Sequence, residues 1–481
     1  MAQIRMREGV PKFGMRDKLG YALGDFGCNL SFVMQSSFFM VYYVTCLGID
    51  PRHFGLLILL TKVWDGVNDP LIGSLTDKIK PKNGKEKFKP WIFYGSILLT
   101  AVTMLMFMPI HNAPYVVKML ACVISYVMWD MCYTIVNVPY GTMASVMTTD
   151  EMERADLSKW RSAGSLLGNV PAGVILPLVL YNQATGDPIQ DRFFWTAVVM
   201  SLFGWICLLG TCKMCTERVM HVEDEEDKKT ESPHFFKTFL GCLKSRPMIG
   251  LILAGVSMLM FMQSNNSTNQ YVFMLYYKDT SWISLTMLLS YTAQILMMFA
   301  IRPLLKRFDR KVLCSAPFVA IIVITIFMIV TPMASPVEWV VCQFVIGLLQ
   351  GAFGMLMWAL LSDCIDYMEY KTGRREEGSV YSSFTLFRKI GSGVSAALLG
   401  IALAATGYNQ TLDVAEQALS VGVNVKNLAA IYLLVGAVII FVAMQFIYTL
   451  NNKEMAKIGK ALGRVEDASE LDVSLSIGGD E

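Results

Sequence analysis

The chain has 481 residues, 54% of them hydrophobic and 17% charged, with 32 Met and 27 Phe. Soluble domains carry about 25% charged residues, so this composition excludes a chain bathed in water along its whole length. A net charge of +2 also excludes the strongly basic surface that a nucleic-acid partner requires, and none is expected.

Met1 to Lys18 is polar, and the apolar run that follows is too long for the core of a signal peptide. A membrane-crossing helix needs about 20 mostly apolar residues. Twelve stretches qualify, at roughly 20–46, 54–77, 90–109, 114–147, 159–181, 193–213, 247–276, 281–304, 312–332, 337–366, 380–405 and 427–450. Hydrocarbon offers no water to satisfy a backbone, so each is predicted as a helix. Lys and Arg mark the cytoplasmic connections. With both termini inside, 32 of the 41 basic residues fall on that side and 4 outside (Arg52, Arg192, Lys278 and Lys426). The expectation is an all-α, multi-pass protein of the cell inner (plasma) membrane, with the lipid bilayer as partner.

Five basic residues remain within spans: Lys62, Lys118, Arg161, Arg388 and Lys389. In span 1, Asp25 and Asn29 stand i, i+4, a turn after Tyr21. Span 2 contains "KVWDGVNDPLIG", Lys62 to Gly73. Lys62, Asp65 and Asp69 are spaced i, i+3, i+7, and Asn68 joins them on one helical face. At 1.5 Å per residue Asp65 lies about 16 Å from Phe54, near the bilayer midplane. A charge there costs at least ~2.5–3.5 kcal/mol, so it needs a partner and a cavity. Two carboxylates a turn apart repel when both are ionised and invite a cation or a proton. Carboxylates with an amide suit a hard ion; a structural ion-pair cluster is the plainer alternative. Span 4, "WDMCYTIVNVPYGTM", strings Asp130, Tyr133, Thr134, Asn137, Tyr140 and Gly141 along one stripe, with Pro139 freeing a carbonyl.

Met214 to Arg246 is the longest internal connection and contains "HVEDEEDKKTESPH". It divides the chain into an N-terminal six-helix bundle (1–213), a cytoplasmic linker (214–246), a second six-helix bundle (247–452) and a cytoplasmic tail (453–481). Basic turns after spans 2 and 8, and related links after spans 4 and 10, form a weak internal repeat. Two repeated six-helix halves are the major facilitator architecture. Span 7 adds "QSNNSTNQ" (Gln263–Gln270), material for gripping sugar hydroxyls or for gluing helices together. In span 11, Arg388 and Lys389 are adjacent, so at most one can aim squarely at a central cavity. The 11 Cys are scattered; Cys212 and Cys215 form the only close pair, and reduced structural thiols are expected. No buried His, no HExxH and no GxxxxGK[ST] is present. An enzyme is therefore not expected, nor is any cofactor.

"YALGDFGCN" (Tyr21–Asn29), "KVWDGVNDPLIGSLTD" (Lys62–Asp77), "GKEKFKPWIFYG" (Gly84–Gly95), "YTIVNVPYGTM" (Tyr133–Met143) and "DCIDYMEYKTG" (Asp363–Gly373) together resemble the glycoside–pentoside–hexuronide cation symporters of the melibiose permease-like kind. The match covers both halves. The resemblance implies that Asp65, Asn68, Asp69 and Thr134 hold the coupling cation, Na⁺ or alternatively H⁺. It implies that Lys389 couples this site to the substrate, while Asp25, Asn29, Lys62, Tyr133, Asn137, Arg161 and Tyr381 line the substrate cavity. Two departures stand out. The family's sugar-gripping aspartates correspond here to Asn29 and Asn137, which puts a galactoside-type grip in doubt. The implied function is cation-coupled symport of a small-molecule glycoside, pentoside or hexuronide by a monomer through alternating access. A lysophospholipid-type symporter or an uncoupled sugar facilitator are the alternatives. Asp77, Lys78 and Arg154, with Asp363, Asp366 and Arg374, are expected to form a cytoplasmic latch.

Overall fold

The computed structural model describes all residues except 1–2, 8, 79–85, 149, 183–184, 223–240, 374–376 and 463–481. Among the described residues twelve long helices follow one another: α1 (Met15–Val33), α2 (Pro51–Lys78), α3 (Lys89–Met106), α4 (Tyr115–Met147), α5 (Glu151–Leu180), α6 (Gln190–Met214), α7 (Arg246–Tyr271), α8 (Ser281–Leu305), α9 (Arg310–Val330), α10 (Pro336–Thr372), α11 (Glu377–Ala405) and α12 (Leu419–Val442). A short α13 (Asn452–Ala461) follows. Among the described residues ten helices are long and apolar enough to cross a membrane. The other two of the twelve are α1, which is continued by widened π-type turns at Met34–Phe38 and Tyr42–Cys46, and the charge-bearing α2.

Helix ends follow their local chemistry. The Asp150 carboxylate accepts from the Met152 and Glu153 N–H groups at 2.8 and 3.0 Å and starts α5. Asp309 does the same for Lys311 at α9, and Gly373, at φ 69°, closes α10 in the left-handed conformation glycine tolerates.

The chain divides into two compact units. The first comprises Met1–Glu231, Phe273–Met287 and Ala396–Val421; the second comprises Ser232–Val272, Leu288–Ser395 and Gly422–Glu481. In the first unit a strand, β1 (Gln3–Met6), pairs antiparallel with β2 (Val219–Val222). Beside it lies a buried ion pair. Arg218 grips both oxygens of Asp17 at 3.0 and 2.8 Å, and the residues are 5% and 3% exposed. The remaining guanidinium hydrogens go to the carbonyls of Pro11, Lys12, Met147 and Thr216. The adjacent Glu217 carboxylate accepts from the Lys87, Phe88 and Lys89 N–H groups at 2.7–3.0 Å, at the start of α3, where unpaired N–H groups favour an anion. Every cysteine is a free thiol, including Cys212 and the buried Cys215.

Candidate functional site

Helices α1, α2, α4 and α5 carry most of the predicted residues, all within the first unit. On α2, Asp65 and Asn68 are each 2% exposed. Lys62 Nζ donates to Asp65 Oδ2 at 2.7 Å and lies 5.3 Å from the centre of the Tyr126 ring. Asp130, also buried, is within electrostatic reach of Lys62 and Tyr126. Asp65 Oδ1 and Asn68 Nδ2 are buried without a hydrogen-bond partner. A buried polar atom left unsatisfied costs about 1–3 kcal/mol, more when charged, so this face is open to a further ligand. Thr134 is buried one turn along α4 from Asp130. The side chain of Asp69, which lies on α2, is outside what the structure describes. Among the described residues no three His, Cys, Asp or Glu converge as a metal site. Of the four residues expected to hold a hard ion, those with described side chains are therefore one carboxylate, an amide and a hydroxyl.

A second cluster surrounds Asp25. Arg161 Nε donates to Asp25 Oδ1 at 3.1 Å, and its guanidinium lies 5.3 Å from the centre of the Tyr140 ring. Asn29 Nδ2 donates to the other Asp25 oxygen at 3.1 Å and to the Asp25 carbonyl at 2.7 Å. The Asn29 Oδ1 in turn accepts from Asn169 Nδ2 at 2.8 Å. Tyr140 stacks on Tyr21 at 4.7 Å and donates to the Tyr21 carbonyl at 2.5 Å. That stacking requires Gly24, where a Cβ would overlap the Tyr140 ring. Tyr133 joins the two clusters: it stacks on Trp129 at 5.0 Å and is within electrostatic reach of both Asp25 and Asp130. Asn137 is half-buried a turn further along α4. The two clusters together offer paired cations and carboxylates, free amide groups and an aromatic face.

The structure thus brings Asp25, Asn29, Lys62, Asp65, Asn68, Tyr133, Thr134, Asn137 and Arg161 into one unit. Tyr381 and Lys389 belong to the second unit, where Tyr381 stacks on Trp358 at 5.3 Å. Tyr126 and Asn169 escape the sequence reading, and Asp130 is read there as part of a stripe without a role. Each had a signal: Tyr126 stands i, i+4 from Asp130, while Arg161, Ser165 and Asn169 recur every fourth residue. Two members of the expected latch, Arg154 and Asp363, have partners among the described residues. Arg154 donates to the Thr148 and Ser145 carbonyls, closing the end of α4, because unpaired carbonyls at a helix terminus attract a cation. Asp363 pairs with Arg310 at 3.1 Å. Arg374 and the side chains of Asp77 and Lys78 lie outside the described residues.

Comparison with known proteins agrees with this architecture. The "Uncharacterized symporter YjmB" of Bacillus subtilis is 26% identical over 94% of this chain and 96% of its own. The "Putative glycoside/cation symporter YagG" of Escherichia coli is 31% identical over 83% of this chain and 85% of its own. Among solved structures, a bacterial homologue of the human lysosomal transporter Spinster, inward-facing and unoccupied, superposes with a TM-score of 0.66, covering 91% of this chain and 98% of that one. At 14% identity it bears on the fold alone. The MFS/sugar transport protein family matches residues 20–453. With a twelve-helix fold, charges buried inside it and this match along almost its whole length, the chain belongs to the MFS/sugar transport family and is a membrane transporter.

Proposed function

We propose that the protein imports a glycoside, pentoside or hexuronide by cation-coupled symport through alternating access. The observation that carries this reading is the buried Asp65 carboxylate, with one oxygen on Lys62 and the other unpartnered beside Asn68. A Na⁺ ion, alternatively a proton, takes the free oxygen, and Asn68, Asp69 and Thr134 complete the oxygen-rich shell that a hard ion prefers. The incoming charge competes with the Lys62 ammonium for Asp65. Lys62 retains the Tyr126 ring and Asp130 in reach when the Asp65 contact loosens. Asp25, Asn29, Asn137 and Arg161 present donors and acceptors to sugar hydroxyls, and the Trp129–Tyr133 stack presents an apolar ring face. Tyr381 and Lys389, both in the second unit, keep the substrate and coupling roles that the family resemblance implies.

By linkage the sugar tightens cation binding by the factor by which the cation tightens sugar binding, typically about 5–150-fold. A relative named as a putative glycoside/cation symporter supports the same reading. In this picture the protein works as a monomer in the inner membrane, with both termini in the cytoplasm.

The test is uptake of a sugar panel by proteoliposomes, with and without Na⁺ at two pH values. Asp65→Asn is expected to abolish cation-stimulated uptake while sugar binding persists. Undiminished stimulation in that variant refutes the assignment.

A further inference from the structure

Helix α11 has two unlike faces. Phe384 is fully buried, and a Cβ at Gly255 of α7 would press on its ring. Gly391 packs with equal tightness against Val256 of α7. Tyr381, Thr385, Arg388 and Ser392 follow i, i+4, i+7, i+11, a single stripe on a different side. None of the four is buried, and Tyr381 is 51% exposed. A stripe of hydroxyls around a guanidinium is a poor surface for hydrocarbon and a good one for water.

Arg388 is the exceptional member of that stripe. Its guanidinium lies 5.1 Å from the Trp358 ring centre and 5.9 Å from that of Phe384. Trp358, 39% exposed, is itself stacked by Tyr381 at 20°. Arg388 Nε is buried with no hydrogen-bond partner. Among the described residues no carboxylate pairs with Arg388, whereas Lys62, Arg161, Arg218 and Arg310 each have an acid within 3.1 Å. Aromatic faces hold a guanidinium in place without neutralising it, and they leave the in-plane N–H fork free. A fixed, uncompensated planar cation beside an exposed Trp–Tyr stack is a receptor for an anion carried on a ring-shaped molecule. The fork geometry fits a carboxylate or a sulfonate, each of which accepts two parallel N–H bonds.

We propose that Arg388 is the specificity residue that reads an acid group on the transported sugar, with Trp358 and Tyr381 against the sugar ring. This rests on the sugar-symport reading above and narrows it to acidic sugars. Both sources of the anion are covered by three probes in proteoliposomes: p-nitrophenyl β-D-glucuronide, the matching neutral β-D-glucoside, and the glucoside sulfonated at C6. Charge-assisted hydrogen bonds of this kind are worth about tenfold or more in affinity. Arg388→Gln is expected to lower the acid-to-neutral ratio of kcat/KM at least about tenfold. Arg388→Lys restores part of the ratio, because it keeps the charge without the fork. Thermal unfolding in detergent checks that both variants are folded. An equal loss for acidic and neutral probes marks a structural or gating role and overturns the proposal. So does a ratio unmoved by Arg388→Gln, or a wild type that accepts only the neutral probe; either leaves sugar symport standing. Absence of uptake of every sugar overturns both readings together.

Discussion

In the proposed symport cycle Lys62 competes with the coupling ion for Asp65. Its ammonium occupies one Asp65 oxygen at 2.7 Å, and a buried carboxylate that loses its cation seeks another charge. Lys62→Gln is therefore expected to strengthen Na⁺ binding by about tenfold, the effect of roughly 1.4 kcal/mol, while slowing turnover because the ion is no longer displaced. Isothermal titration of the purified variant with Na⁺ measures the first effect and proteoliposome uptake the second; weaker Na⁺ binding would contradict the competition. The ion pair itself was legible, since i, i+3 spacing and the expense of charge in a bilayer together require a partner. The role of Tyr126 was not. Tyrosine on an apolar helix is ordinarily core, and only three-dimensional proximity shows its ring beneath an ammonium.

At the scale of the helix, the close approach of α1 to α4 and α5 fixes the cluster around Asp25. Gly24 admits the Tyr140 ring, and Gly164 admits the backbone of α1 at Ala22. Gly24→Ala forces either Tyr140 or α1 to move, and overpacking of this sort costs about 1–3 kcal/mol. The expected result is a lowered Tm in detergent and reduced sugar uptake, because the Tyr140–Tyr21 bond and the Arg161 perch shift together. Gly14→Ala is the control, since no atom lies within 4 Å of the added methyl. Helix positions were readable from apolar length, and the polar stripes of α1, α2 and α4 from their spacing. Glycine contacts were not readable, because the partner of a notch lies on another helix. The π-type turns that continue α1 to Cys46 are likewise decided by packing, not by any local residue preference.

At the scale of the whole molecule, composition and the distribution of Lys and Arg announced a multi-pass membrane protein, and the resemblance of its motifs implied a transporter, while the acidic run after His221 gave no hint of the packed segment just before it. Cys215 to Val222 lies against the N-terminal residues, fastened to them by the Asp17–Arg218 pair and the β1–β2 ladder, while Glu217 ties it to the start of α3. Asp17 and Arg218 are 201 residues apart, beyond the reach of any periodicity argument. Breaking a buried pair from one side costs about 3–5 kcal/mol. Asp17→Asn or Arg218→Gln is therefore expected to lower the Tm by several degrees, and joint replacement of both by apolar residues to recover part of the loss. Full additivity of the single effects would show that the two side chains act independently. There is a practical corollary for anyone handling the protein. Residues 3–6 supply a strand, and Pro11 and Lys12 two of the carbonyls on which Arg218 rests, so they are masonry, not overhang. Trimming them by protease, or burdening them with an affinity tag, should loosen the first unit, whereas a tag placed after Ala461 leaves this joint untouched.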